Sequence, residues 1–96
     1  MYQIEETETF ISWREGLKDS LAQRRILARI VRADNGNFGD WVAESGEVKA
    51  MRIHYGPGYR LYYVIRGNTI IFLLCGGDKR TQQADIRRAS ELAEGV

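Results

Sequence analysis

Apolar residues recur along this chain with two periods, and the change from one to the other falls near residue 40. Tyr2-Gln3-Ile4 reads as a short opening strand. Phe10, Trp13, Leu17 and Leu21 then follow at helical spacing, which predicts a first helix over roughly 8–19, capped by Thr7 or Thr9. Ile26, Leu27, Ile30 and Val31 form the stripe of a second helix over about 20–34, opening at a Ser20 cap and closing near Asn35-Gly36. Two helices in such close succession predict an antiparallel hairpin. Asn35-Gly36-Asn37-Phe38-Gly39-Asp40 follows as a turn-rich loop.

Beyond that loop the pattern is a meander. Trp41-Val42-Ala43-Glu44 is a short strand before a turn at Ser45-Gly46-Glu47. Val48 to Tyr55 alternates, with Met51 and Ile53 on one face and Arg52 and His54 on the other. Tyr59 to Arg66 alternates again, placing Leu61 and Tyr63 opposite Arg60 and Tyr62. Gly67-Asn68 is a hairpin signal, and the run from Thr69 to Cys75, apolar on both faces, predicts the central buried strand. Gly76-Gly77-Asp78 is expected to break that strand, and a last helix runs from about Arg80 or Thr81 to Ala93 with Ile86, Ala89 and Ala93 inward. The order β-α-α-β-β-β-α predicts one α+β domain over 1–96, a helix hairpin packed on a twisted, mostly antiparallel sheet with a C-terminal helix.

Parity places two arginines. If Met51, Ile53, Leu61 and Tyr63 all face the core, paired positions must have an even sum, which requires an odd loop between the strands. Tyr55-Gly56-Pro57-Gly58-Tyr59 supplies one, and the symmetric register pairs Arg52 with Arg60 off that core face. Tyr62 is expected diagonally beside them and His54 at their flank. Like charges directly opposite are destabilising, so such a pair predicts an anion site. The alternative is that each arginine pairs with a carboxylate from the acidic 34–47 segment.

Charge sharpens this picture. The net charge is only +1, yet residues 21–33 carry four arginines and no acid, and residues 48–90 carry eight bases against two acids. Eleven of the 14 bases are arginine, the side chain suited to bidentate phosphate contacts. A polyanion partner is therefore plausible, with solvated helix faces as the plainer reading. One cysteine, Cys75, excludes an internal disulfide and reads as a buried small hydrophobe in a reducing cytosol. One Cys and one His exclude structural zinc. The opening residues lack the pattern of a signal peptide, and the apolar run Ile70 to Cys75 is too short to cross a bilayer, so a soluble, cytoplasmic protein is expected. Trp13, Trp41, Phe72, Tyr55 and Tyr59 read as packing residues. No carboxylate pair is expected near the arginines.

Met51-Arg52-Ile53-His54-Tyr55-Gly56-Pro57-Gly58-Tyr59-Arg60-Leu61-Tyr62-Tyr63 resembles the Arg-x-x-Tyr-Gly-Pro-Gly-Tyr-Arg-x-Tyr segment of the HigB-like addiction-module killer proteins, within the RelE/ParE toxin superfamily. Leu73 to Gln82 resembles their apolar strand followed by Gly-Gly-x-Lys-x-Thr-Gln. Asn37-Phe38-Gly39-Asp40, Ala28-Arg29-Ile30 and Asp85-Ile86 with Ala89 and Leu92 fall in the matching order, so the likeness spans nearly the whole chain. It implies a RelE-like fold and the toxin of a type II toxin–antitoxin module. Some members cut mRNA on the ribosome without a metal or other cofactor; ParE-type members inhibit DNA gyrase; a non-toxic remnant that only binds its antitoxin is a third reading. The cognate antitoxin is expected to be a helix-turn-helix protein, with no membrane or small-molecule cofactor involved. In the nuclease reading Arg52 and Arg60 hold the phosphate, Lys79 reaches across the same face, Tyr62 stacks or orients a hydroxyl, and His54 exchanges protons. Arg25, Arg29, Arg32, Arg66 and Arg80 are the expected RNA contacts.

Overall fold

The structure is a computed structural model that describes residues 1–96. Its elements are β1 (Gln3–Glu6), α1 (Glu8–Glu15), α2 (Ser20–Asp34), β2 (Trp41–Ser45), β3 (Val48–Ile53), β4 (Tyr59–Arg66), β5 (Ile70–Gly77), a short 3-10 turn (Lys79–Thr81) and α3 (Gln82–Ala93). The strands form one sheet in the order β1-β5-β4-β3-β2, antiparallel except where β1 runs parallel to β5. Three helices on a five-stranded mixed sheet make a small α+β fold that agrees, in general terms, with the topology the resemblance implies. Four strands lie between α2 and α3, and the first of them, Trp41–Ser45, is the short strand expected there and forms one edge of the sheet. No helix is long and apolar enough to cross a membrane.

Capping residues set the helix ends. Thr7 accepts from the Phe10 N–H and starts α1, as expected. The helix stops at Glu15, four residues early, because the chain must turn through Gly16 to bring Asp19 to the head of α2. Asp19, not Ser20, is that cap, its carboxylate accepting from the N–H groups of Leu21 and Ala22. Leu21 therefore sits on an exposed first turn instead of continuing the α1 stripe.

Both faces of the sheet are core. Phe10, Ala22, Ile26 and Ala33 from α1 and α2 pack with Met51, Ile53, Leu61, Tyr63, Ile71 and Leu73 on one side. On the other, Ala89 and Ala93 of α3 cover Val48, Ala50, Tyr62, Val64, Leu74 and Cys75. The even positions of β3 and β4 thus line a second hydrophobic layer, and burial pushes the Cys75 thiol up to about 12.

Gly76 and Gly77 do not break β5; they are its last two residues. A Cβ on Gly76 would collide with the Trp13 ring of α1, and one on Gly77 with the Asp85 carboxylate of α3. Successive residues point to opposite faces, so each glycine is the notch into which one helical layer settles. Trp41, by contrast, is not packed: it is 45% exposed on the edge strand.

Arg66 lies at the far end of β4 from Arg60 and fastens the last turn of the chain. It donates to the carbonyls of Ala93 (2.8 Å) and Val96 (3.1 Å) and to Glu47 (2.6 Å). Arg66→Ala is expected to lower stability by about 1–2 kcal/mol. Glu47→Ala should cost under about 1 kcal/mol, because that carboxylate is mostly in solvent. Chemical denaturation compares the two.

Candidate functional site

The turn between β3 and β4 builds the site. Gly56 and Gly58 both adopt positive φ, 57° and 82°, and the chain re-enters β4 with Ile53 opposite Tyr59 and Arg52 opposite Arg60. This is the register that parity predicts. A Cβ on Gly58 would lie 2.8 Å from Lys79 Cε, so the bare backbone there lets the lysine stem lie across the turn. Arg52, Ile53, His54, Gly58, Tyr59, Arg60 and Lys79 together line a cleft of about 150 Å³.

Two further clefts adjoin it. One of about 360 Å³ shares Arg52, Ile53 and His54 and adds Arg25, Ala28, Arg29, Arg32 and Asp40. The other, about 570 Å³, begins at Lys79 and runs along Arg80 and Arg87 at the head of α3. The cationic side chains scattered through the sequence therefore form one strip across α2, the sheet and α3.

The sequence reading left Asp40 out of this site, and here it matters. Its Oδ1 accepts from Arg52 Nη2 (2.8 Å) and Nε (3.3 Å), and its Oδ2 faces His54 Nε2 at 2.5 Å. The alternative of pairing with a carboxylate from the acidic segment therefore holds for Arg52. Hydrogen bonds from Arg52 first and His54 second hold the Asp40 carboxyl at about 2, below its usual 3.8. A depressed carboxyl contributes stability in full above its unfolded value and loses it as the pH falls through the folded one. The Asp40 clasp should accordingly be intact at pH 5 and weaken between about pH 4 and pH 2. Comparing acid unfolding of wild type and Asp40→Asn checks this: the variant's stability should change less across that window. Glu44 also approaches, close enough for its charge to act on Arg52 and Tyr62, with one carboxylate oxygen buried and unpartnered.

Arg60 differs from Arg52. It forms no ion pair, and its Nε is buried without a hydrogen-bond partner. Lys79 is likewise unpaired and exposed.

Several expected contacts move elsewhere. Tyr62 is wholly buried in the α3 layer, its hydroxyl unpartnered and its pKa pushed up by burial; it cannot stack on a base. Arg29 is turned inward as a bolt, donating to the carbonyls of Phe38, Asp40 and Arg52. Arg66 is at the opposite end of the sheet, and Arg80 is exposed but paired with Asp78. Arg25 lies over the Tyr55 ring at 4.7 Å and, with Arg32, still lines the cleft beside α2. No cluster of three or more His, Cys, Asp or Glu side chains is gathered that could hold a metal ion.

No family model matches the chain. It is 45% identical over 92 residues to an uncharacterized protein of Haemophilus influenzae, an alignment covering 96% of this chain and 93% of that protein. The chain belongs to the same family as this Haemophilus protein. At that identity and coverage the helix layers, the sheet and the cleft between the β3–β4 turn and Lys79 are expected to be common to both family members.

Proposed function

We propose that this chain is the toxin of a type II toxin–antitoxin module and acts as a metal-independent, ribosome-dependent mRNA endonuclease. One observation carries the reading: Arg60, with a buried unpartnered Nε and no counter-ion, stands beside unpaired Lys79 in a cleft that also holds Arg52 and His54. A guanidinium with no counter-ion in a cleft has its charge and its fork of donors available to an anion. A phosphodiester is such an anion, and the cationic strip suits the chain on either side of it.

Cleavage by this route forms the 2′-oxygen–phosphorus bond as the bond from phosphorus to the 5′-oxygen breaks, leaving a cyclic phosphate. The 2′-hydroxyl gives up its proton, and the departing 5′-oxygen takes one from water. Arg60, Arg52 and Lys79 stabilise the added charge on phosphorus, and His54 is the acid–base group within the cleft. Translating ribosomes present the message already positioned, which lowers the demand on these groups. The partner that restrains the toxin is an antitoxin, encoded beside it and of helix-turn-helix type, and the pair acts in the cytoplasm.

A second reading has one observation in its favour. Val31 is 62% exposed and Leu27 44%, one helical turn apart on α2, an apolar step suited to a protein partner. A gyrase-inhibiting toxin, or a remnant that only binds antitoxin, would use such a face and no cleft. The deciding experiment is brief induction of the wild-type chain with mRNA 5′ ends mapped within minutes. Codon-phased cuts in translated messages are expected. Growth arrest without new 5′ ends overturns the nuclease and favours gyrase; no arrest favours the remnant.

A further inference from the structure

We propose that Asp40 is a positioning residue, fixing Arg52 and His54 at the mouth of the cleft so that His54 Nδ1 is the atom that takes the 2′-hydroxyl proton. The chemical half of this inference rests on the nuclease reading; the positioning half does not.

The carboxylate divides its two oxygens between two partners: Oδ1 to the Arg52 guanidinium, Oδ2 to the His54 ring. A carboxylate only accepts, so the ring nitrogen facing it must carry the proton. A neutral ring held this way donates from Nε2 and leaves its lone pair on Nδ1. When Nδ1 takes the 2′-hydroxyl proton, the resulting imidazolium stays bonded to Asp40, which stabilises its charge. The ring later releases that proton to water, and water supplies the proton of the 5′-oxygen, so the cycle closes. Asp40 is also the single carboxylate among the residues lining the two clefts that His54 shares.

Its backbone is bolted in place, which distinguishes it from a counter-ion that swings aside. The Asp40 carbonyl accepts from the Arg52 N–H (2.8 Å) and from Arg29 Nη2 (3.1 Å). Arg29 also holds the carbonyls of Phe38 (2.9 Å) and Arg52 (2.5 Å), so one guanidinium locks the loop before β2 onto β3. Gly39 makes room for it: at φ +63° a Cβ would lie 2.8 Å from Arg29 Nη2. The Asn37-Phe38-Gly39-Asp40 segment thus delivers one carboxylate from a preset position.

The test uses Asp40→Asn and Asp40→Ala, with unfolding midpoints measured alongside. On ribosomes programmed with a cleavable message, both variants should lower kcat by about tenfold or more while KM stays the same or falls, since a negative charge has left an anion site. NMR relaxation of the Arg52 Nε–H and of the only imidazole in the chain should show both side chains ordered in wild type and loosened in the variants. Faster cleavage in the variants would make Asp40 a plug and overturn the proposal. Unchanged cleavage, or unchanged side-chain order, would overturn it as well. If wild type cuts nothing, the nuclease reading fails by itself, and the relaxation data still decide whether Asp40 positions the pair.

Discussion

Arg60→Ala is expected to lower message cleavage by a factor of about 10²–10³ while shifting the melting temperature little. The two halves of that expectation come from the same geometry. The guanidinium has no carboxylate partner, and its Nε is buried without an acceptor, so its removal breaks no native bond and relieves an unsatisfied donor. Its charge is instead available to a ligand in the cleft it lines. Arg60→Lys, which keeps the charge and loses the fork, should fall between the two. Arg52→Ala should cost stability as well as activity, because it leaves Asp40 with His54 alone. Single-turnover cleavage and thermal melts on the three variants separate these effects. Arg60→Ala retaining more than a tenth of wild-type cleavage would remove Arg60 from the phosphate.

The largest stability effect is expected at Gly76. Gly76→Ala should cost about 3 kcal/mol or more, against a total of about 5–15 kcal/mol for a domain of this kind. The added carbon falls within the half-buried Trp13 ring, and moving that ring breaks its packing on Phe10 and Tyr59, at 5.8 Å and 6.1 Å between centroids. Gly46→Ala is the control. It too changes a glycine, at φ +57°, but nothing lies within 4 Å of the new carbon, so only backbone strain of about 1 kcal/mol is due. Urea denaturation of the two variants reads the difference. Equal losses would mean that backbone strain, not the seating of α1, accounts for both.

Local signals made the backbone legible. The even-sum rule and the five-residue Tyr55–Tyr59 turn place Arg52 opposite Arg60, and the structure has that pair. The α2 stripe and the Gly36 stop give the bounds Ser20–Asp34. What the sequence concealed depends on layers meeting from a distance. Two glycines read as a strand break because their use, admitting Trp13 and Asp85, lies in helices 63 residues before and eight after them. Tyr62 reads as a surface aromatic because alternation alone does not tell a solvent face from a second core, and α3 makes it core. Asp40 is one of four acids in residues 34–47; only Arg29, reaching from α2, shows which of them is held at the site. A signal was present in Asn37-Phe38-Gly39-Asp40, where a glycine precedes a carboxylate just ahead of a strand.

The bulge in β5 sets what the strand can lose. Tyr62 pairs with Cys75 while Tyr63 pairs with Leu73, so Leu74 is a residue to spare opposite a partner that has none. Excision of Leu74 would regularise the ladder and leave every other pair, and both glycine notches, where they are. The loss would be one buried leucine, about 1.5–3 kcal/mol, together with the hydrogen bond that its carbonyl accepts from Thr7 Oγ1 (2.6 Å). A central strand is ordinarily where a one-codon deletion is lethal to a fold, because every side chain beyond it changes face. Here the strand carries its own slack: removing one residue at the bulge keeps every side chain beyond it on its face, and removing a second does not.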